Sequence, residues 1–202
     1  MRIFEDERDY RHFLALFGDA MQEFEIQCWN YCLMPNHYHA TLQPTLPNLS
    51  EAIQHINGVF GQWRNKRYER VGHVFQGRFK DQIVQRDGYL VSLCRYVALN
   101  PTRANLVAVP EDWEWSSYAA TIGLRPAPTF LSIAATLGQF GPGDESVQQT
   151  HFRNFVCGDP DEALEERFRS SELIVGDRSF KTALRPSPEH NVGLKVSRAA
   201  SK

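Results

Sequence analysis

The sequence lacks the long apolar runs and the paired cysteines that mark membrane proteins and disulfide-rich proteins. No run approaches the roughly 20 apolar residues that span a bilayer, and residues 1–4 lead directly into Glu5-Asp6-Glu7 instead of an export signal. The four cysteines are scattered without a C-x-x-C pair, which argues against a zinc knuckle or a disulfide framework. We therefore expect a cytoplasmic protein with reduced thiols and no membrane partner.

The sequence also lacks a net positive charge, since the formal charge of the 202 residues is -2. The charges are unevenly distributed: residues 1–25 carry a net charge of -4 and residues 61–86 a net charge of +5, with four aromatic residues interleaved in the second segment. Cations can contact phosphates and rings can stack on bases, so residues 61–86 suit single-stranded nucleic acid. The alternative interpretation is a solvated charged face with core aromatic residues.

Apolar periodicity predicts alternating helices and short strands over the first 120 residues. Helices are expected at residues 7–22, 49–68 and 88–99. Strands are expected at residues 24–33, 37–43, 73–79 and 82–85. Short strands and plausible hairpins favour an α+β fold in which helices pack on a mainly antiparallel sheet.

A change in composition near Pro126 and Pro128 divides the chain into three parts. We expect a main domain over residues 1–125, a helical extension over residues 126–185 and a disordered tail over residues 186–202. The prediction of disorder rests on the Ser, Pro, Lys and Arg content of the tail, which leaves little apolar surface to bury.

Two histidines, His37 and His39, flank Tyr38 in one predicted strand. Side chains alternate between the faces of a strand, so both imidazoles share a face and are about 7 Å apart along it. From there they can converge on one metal ion, for which neutral imidazole is the commonest side-chain ligand. Taken alone, such a pair is more often incidental, because histidines frequently satisfy only local hydrogen bonds.

Tyr96 and Asn100 are four residues apart at the end of a predicted helix and so share one helical face. A tyrosine hydroxyl can act as a nucleophile, and a carboxamide oxygen is a hard ligand that can complete a metal site with the two histidines. The alternatives are a core aromatic residue and a helix C-cap. Together with the histidines, these groups supply a Lewis acid and a nucleophile that stays attached to a cleaved phosphate.

Four segments, in order along the chain, resemble segments of the HUH-type tyrosine transposases, especially their REP-associated branch. Residues 34–39 read MPNHYH, residues 72–80 read GHVFQGRFK, residues 95–104 read RYVALNPTRA and residues 113–118 read WEWSSY. They look like the family's MPNHxH, WQGRFK-like, RYIxxNPVRA and YPWSSY segments. The resemblance covers most of residues 4–122.

The resemblance implies a ferredoxin-like sheet and a function in DNA transposition. It implies that Tyr96 is the nucleophile that cuts single-stranded DNA at hairpin-forming, REP-like sequences and forms a 5′-phosphotyrosine. It further implies that His37 and His39 bind Mg²⁺ or Mn²⁺, with Asn100 as a third ligand. Such a protein is expected to be a monomer or a homodimer.

The basic segment and the resemblance together predict a set of DNA-contacting side chains. These are Arg64, Lys66, Arg67, Gln76, Arg78, Lys80 and Arg103. The family usually begins with a strand that reads like YHVTxRGN, and residues 1–4 start just after the position of that strand. We therefore expect a domain whose first strand, a central one, is missing and whose sheet has exposed edges.

Two other functions are open at this point. A domesticated or truncated relative would recognise DNA hairpins without cutting them, and the missing strand favours it. Binding alone does not need a nucleophile, so the presence of His37, His39 and Tyr96 counts against it. A plasmid-type rolling-circle nuclease or relaxase would use the same pair of histidines, but the NPTRA and WEWSSY segments argue against it.

Overall fold

The computed structural model describes residues 2–75, 79–184 and 194–200, which form an α+β fold. The helices are α1 (Glu7–Glu23), α2 (Leu49–Arg67), α3 (Arg86–Ala98), α4 (Asn100–Arg103), α5 (Tyr118–Thr121), α6 (Ile133–Leu137), α7 (Glu145–Cys157), α8 (Glu162–Arg169) and α9 (Arg178–Ala183). The strands are β1 (Ile26–Met34), β2 (His37–Pro44), β3 (Lys80–Val84), β4 (Ile174–Val175) and β5 (Leu194–Ala200). This arrangement confirms the predicted fold class, including the short helices of the C-terminal extension. None of the described helices is both long and apolar enough to cross a membrane.

The described strands form one sheet in the order β1-β2-β5-β3-β4. β1 and β2 form an antiparallel hairpin, and β5 pairs antiparallel with β2 on one side and with β3 on the other. β3 and β4 run parallel over a short stretch. β2 therefore has a hydrogen-bonded partner on each of its edges.

The two faces of the sheet are covered by different helices. α1 and α2 pack over one face, where Phe13, Tyr38 and Phe60 belong to an aromatic core. α3 packs against β1 and β2 on the other face. Because successive side chains of a strand point to opposite faces, Tyr38 enters the aromatic core while His37 and His39 face α3.

The helical extension packs on α3 and shares a buried cluster with it. α7 and α8 both contact α3, and Phe152 and Phe168 are buried together with Leu93 and Val97. The amide nitrogen of Gln82, on β3, donates to three backbone carbonyls at and beyond the end of α8. The extension is thus attached both to the sheet and to the helix that carries Tyr96.

One predicted strand differs from the structure. Residues 73–75 form a bent loop over α2, residues 76–78 lie outside the described residues, and β3 begins only at Lys80. The side chain of Asn65 donates to the carbonyl of Gly72, and Val74 is buried in the core. These contacts hold residues 72–74 against α2, whereas the alternation of the sequence predicted pairing in a sheet.

β5 lies within the tail for which disorder was predicted. Residues 186–193 and 201–202 lie outside the described residues, but residues 194–200 form a strand between β2 and β3. The Lys, Ser and Arg content suggested disorder, yet apolar residues recur at Leu194 and Val196, which is the period of a strand. Without β5, the facing edges of β2 and β3 would present unpaired backbone groups. A segment from the C-terminal part of the chain therefore occupies a central position in the sheet.

Deletion of residues 194–202 should destabilise the fold, because β2 and β3 would each lose an antiparallel partner. We expect the free energy of unfolding to fall by about 3 kcal/mol or more, measured by urea denaturation followed by circular dichroism. Deletion of residues 201–202 alone is the control. Equal unfolding midpoints for the two deletions would mean that the pairing of β5 does not stabilise the sheet.

Candidate active site

A tight β-hairpin fixes the positions of the two histidines. His37, the first residue of β2, pairs with the last residue of β1, so Pro35 and Asn36 alone form the turn. Proline favours such a turn because its ring presets φ. The carbonyl oxygen of Pro35 accepts hydrogen bonds from the backbone N–H groups of Ile3 and Phe4. The N-terminal segment therefore holds the turn from which β2 starts.

The imidazole rings of His37 and His39 converge on the face of the sheet that α3 covers. Their Nε2 atoms are 3.0 Å apart, and the rings meet edge to face with centroids 4.8 Å apart. The Nδ1 atom of His37 lies 2.8 Å from the side-chain oxygen of Asn36. A neutral imidazole that donates from Nδ1 keeps a lone pair on Nε2. The contact with Asn36 therefore favours the tautomer of His37 in which Nε2 can bind a metal ion.

The spacing of the two imidazoles fits one small divalent cation. Ligand atoms at adjacent corners of a magnesium octahedron are about 3.0 Å apart, given bonds of about 2.1 Å, and the two Nε2 atoms have this separation. Across the described part of the chain, no group of three or more His, Cys, Asp or Glu side chains is arranged to hold a metal. If a metal ion binds between the imidazoles, the pair would supply two of its ligands.

Tyr96 lies beside this pair, in the last turn of α3. Its ring centroid is 5.9 Å from that of His39, and the two rings are nearly perpendicular. Tyr96 is 5% exposed, because the packing of α3 on β1 and β2 directs it into the interface. The candidate ligands and the candidate nucleophile, which are far apart in the sequence, are thus neighbours in the fold.

Asn100 caps the end of α3. Its amide nitrogen donates to the backbone carbonyl of Tyr96 at 2.8 Å and to that of Val97 at 3.4 Å. The C-cap residue of α3 is Leu99 and Asn100 begins α4, but the side chain of Asn100 serves a capping role, because the last carbonyls of a helix lack partners within the helix. Its side-chain oxygen would have to provide any metal ligand, and the role of Asn100 as a third ligand stays a prediction.

Arg103, for which DNA contact was predicted, points back toward Tyr96. Its guanidinium donates to the backbone carbonyl of Tyr96 at 3.1 Å and its Cζ lies 5.3 Å from the centroid of the Tyr96 ring. The other end of the guanidinium donates to both carboxylate oxygens of Glu165, on α8, at 2.5 Å. The side chain of Arg103 is 27% exposed, so most of it serves contacts inside the protein.

Two residues of the extension that were not among the predicted site residues lie on the Tyr96 side of the site. Glu165 is fully buried, and the ring of Phe168 lies 5.7 Å from that of Tyr96. Leu164 and Phe168 are one helical turn apart on α8, and Glu165 lies next to this apolar stripe. A carboxylate is almost never fully buried without a partner, but the burial of Glu165 is visible only in the fold, so the sequence offered no signal for it.

Two of the arginines predicted to contact DNA form ion pairs with the N-terminal segment instead. The side chain of Arg64 is 1% exposed and donates to the backbone carbonyl of Ile3 at 2.7 Å and to the carboxylate of Glu5 at 2.9 Å. Arg67 forms ion pairs with Asp6 and with the fully buried Asp9. The prediction that Arg64 contacts DNA is wrong for the folded chain, because α2 buries its guanidinium under the N-terminal segment.

The other predicted DNA contacts are divided between the surface and the undescribed residues. Lys66 and Lys80 are exposed and are free of the ion pairs found among the described side chains. Gln76 and Arg78 lie outside the described residues. The surface cations at the end of α2 and the start of β3 therefore include two of the seven predicted side chains.

The thiols near the site are buried, and burial disfavours their charged form. Cys32 pairs in register with His39, and Cys94 lies on α3 near Tyr96. Burial raises the pKa of the Cys94 thiol to about 12 and raises the pKa of the Cys32 thiol as well. A thiolate is the form that binds metals and attacks electrophiles, so burial is a sufficient account of both residues.

A family model and a named relative that match this chain both carry the name of a transposase. Residues 1–100 match the family model described as "Transposase IS200 like". The chain is 23% identical over 124 residues to a Haemophilus influenzae protein that bears the name "Putative REP-associated tyrosine transposase", and the match covers 54% of this chain and 69% of that protein. No solved structure matches the chain.

The internal role of Arg64 can be tested by comparing it with Lys66, two residues away on α2. We expect Arg64→Ala to lower the free energy of unfolding by about 2–4 kcal/mol, because the carbonyls of Arg2 and Ile3 would lose their donor and Glu5 would lose one of its two arginine partners. Lys66→Ala should change it by less than about 0.5 kcal/mol. Urea denaturation measures both, and equal stabilities would contradict the burial of Arg64.

Proposed function

Since the chain belongs to the family of IS200-like transposases, we propose that it cuts and rejoins single-stranded DNA through a covalent bond to Tyr96. The observation that carries this proposal is the meeting of three side chains. The Nε2 atoms of His37 and His39 are 3.0 Å apart, and the ring of Tyr96 lies 5.9 Å from that of His39. These groups are the parts that a metal-assisted tyrosine nuclease requires.

In the proposed reaction, the phenol oxygen of Tyr96 attacks a phosphodiester phosphorus of the DNA. A new bond forms between this oxygen and the 5′-phosphate, the bond from phosphorus to the 3′ oxygen breaks, and the phenol proton leaves with the 3′-hydroxyl or with solvent. The phosphotyrosine conserves the energy of the phosphodiester, so a second 3′-hydroxyl can displace Tyr96 and rejoin the strand. No high-energy cofactor is needed for either step.

His37 and His39 would hold Mg²⁺ or Mn²⁺, with Asn100 as a third ligand in the same proposal. When bound, the cation polarises the phosphate and stabilises negative charge on its oxygens. The strand keeps the two imidazoles on one face, and Asn36 orients His37 through its Nδ1 atom. The low exposure of His39 and Tyr96 limits access of water to the reacting groups.

The proposed substrate is single-stranded DNA that forms hairpins, including REP-like sequences. The support for DNA as the partner is the family, together with the exposed cations Lys66 and Lys80 beside the site-bearing sheet. Gln76 and Arg78 would add contacts from the loop before β3. The protein would act as a monomer or as a homodimer.

A hairpin-binding protein that does not cut is the second candidate. The observation that favours it is the 5% exposure of Tyr96, whose ring is enclosed by His39, Arg103 and Phe168. A nucleophile in this position needs the DNA strand to enter beside the histidines. The two candidates differ in one product, the covalent adduct.

The adduct is the first prediction of this proposal. Purified protein, Mn²⁺ and a 3′-labelled hairpin oligonucleotide from the flanks of its own gene should give a covalent protein–DNA band on a denaturing gel, because the fragment on the 3′ side of the cut stays bonded to Tyr96. Tyr96→Phe should lower the rate of adduct formation by at least about a thousandfold, because phenylalanine has no nucleophilic oxygen. Tyr89→Phe, on the same helix α3, is the matched control and should retain the band. DNA retardation on a native gel without any adduct would support the non-cutting binder instead.

The metal site gives a second prediction. We expect His37→Ala and His39→Ala each to weaken Mn²⁺ binding by at least about tenfold, measured by electron paramagnetic resonance of free Mn²⁺ in the absence of DNA. His55→Ala, which removes an exposed histidine from α2, should bind Mn²⁺ like the wild type. Equal Mn²⁺ affinity in all three variants would mean that His37 and His39 do not bind the metal ion.

A further inference from the structure

Glu165 is a fully buried carboxylate among three arginines. Both of its oxygens accept hydrogen bonds from Arg103 at 2.5 Å, one also accepts from Arg169 at 3.2 Å, and Arg95 lies 3.9 Å away. Only Arg169 of these pairs with further carboxylates, at the surface of α8. Burying a charge is costly unless it is paired and hydrogen-bonded. The position of the Glu165 side chain therefore depends on these arginines, and the positions of the arginine side chains depend on Glu165.

Arg103 connects Glu165 to Tyr96. One of its terminal nitrogens bonds to the carboxylate and the other donates to the backbone carbonyl of Tyr96 at 3.1 Å. Its guanidinium also lies over the ring of Tyr96, with Cζ 5.3 Å from the centroid. A planar guanidinium with fixed donor directions transmits position better than a flexible ammonium. The carboxylate therefore sets where this plane lies against the Tyr96 ring.

Phe168, one turn after Glu165 on the same helix, touches the Tyr96 ring from the extension side. The ring centroids are 5.7 Å apart and Phe168 is fully buried. His39 lies on the sheet side of the same ring. Tyr96 is thus enclosed between a strand of the main domain and helix α8 of the extension.

From these contacts we infer that Glu165 is a positioning residue, which holds the ring of Tyr96 against His39 through Arg103. The inference rests on the proposed role of Tyr96 as nucleophile. It assigns the helical extension a part in strand cleavage that requires no contact between Glu165 and DNA. It also accounts for a carboxylate in a site that binds a polyanion, because Glu165 is buried behind Arg103 and is itself neutralised.

A structural ion pair without influence on the nucleophile is the competing explanation. The two explanations predict different effects of Glu165→Gln, which keeps the shape of the side chain and removes its charge. If Glu165 only stabilises the fold, adduct formation at a temperature well below unfolding should be unchanged. If it positions Tyr96, the rate should fall while the affinity for DNA does not, because a displacement of the nucleophile by about 1 Å costs rate and not binding.

The experiment compares Glu165→Gln with Glu166→Gln, the neighbouring carboxylate on α8, which is 71% exposed and pairs with Arg169. For each folded variant we would measure the single-turnover rate of adduct formation, the affinity for the hairpin oligonucleotide and the melting temperature. We expect Glu165→Gln to slow adduct formation by about tenfold or more with an affinity within about twofold of the wild type. Glu166→Gln should match the wild type in both.

A double-variant comparison tests the route through Arg103. Arg103→Gln should slow adduct formation as Glu165→Gln does, and the double variant should be no slower than the slower single variant, because both changes break the same link. Arg103→Gln leaves Arg169 beside Glu165, so it remains informative if Glu165→Gln does not fold. Rate losses that multiply in the double variant would overturn the inference.

A readout that needs no cutting separates this inference from the proposed function. Nitration of tyrosines by tetranitromethane, mapped by mass spectrometry, reports the accessibility of Tyr96. We expect Tyr96 to be protected in the wild type and in Glu166→Gln and to be nitrated faster in Glu165→Gln. Equal nitration in all three would overturn the inference, even if the wild type forms the adduct. Faster nitration in Glu165→Gln, with no adduct from the wild type, would sustain the positioning of Tyr96 and refute its proposed role as nucleophile.

Discussion

The alternation of side chains along β2 is the constraint on which the rest of the site depends. It sends Tyr38 into the aromatic core under α1 and α2, and it sends His37 and His39 to the face covered by α3. A slip of one residue in the pairing would exchange the faces and bury both imidazoles among phenylalanines. Pairing on both edges of β2 opposes this slip, and the hydroxyl of Tyr38 donates to Asn57 at 3.1 Å. The packing of Tyr38 in the core on one face of β2 therefore fixes the positions of His37 and His39 on the other face.

The opposite charges of two distant segments neutralise each other within the fold. The ion pairs that join them are Arg64–Glu5, Arg67–Asp6, Arg67–Asp9 and Arg70–Glu5. They explain why residues 1–25 are acidic and residues 61–86 basic, and they leave fewer cations for phosphate than composition suggested. The charge pattern predicted a nucleic-acid surface because a sequence shows the sign of a charge but not its partner. Among the described side chains of the basic segment, Lys66 and Lys80 are exposed cations without such partners and are therefore available to phosphate.

Sequence patterns predicted the parts of the structure that depend on local geometry. Helices α1 to α3, the β1–β2 hairpin and the shared face of His37 and His39 follow from periodicity and turn chemistry, which act over a few residues. Glu165 could not be predicted in the same way, because its partner Arg103 is 62 residues away and nothing local links the two. Disorder was predicted for the segment that forms β5 for a similar reason. The strand is stabilised by pairing with β2 and β3, which are distant in the sequence. Long-range pairing decides such elements, and composition describes only the segment itself.

The proposed metal ligands and the proposed nucleophile are held in place by different parts of the fold. The histidines belong to a strand with partners on both edges, whereas Tyr96 belongs to a helix that is packed between the sheet and the extension. The distance between the Tyr96 ring and His39 is therefore set by two interfaces of α3, and one of them is made by residues after the matched family segment. Since covalent catalysis depends on the position of the attacking atom to within about 1 Å, changes in the extension can alter the rate without touching DNA. On this argument the extension would be a functional part of the proposed cutting site, even though the family model ends at residue 100.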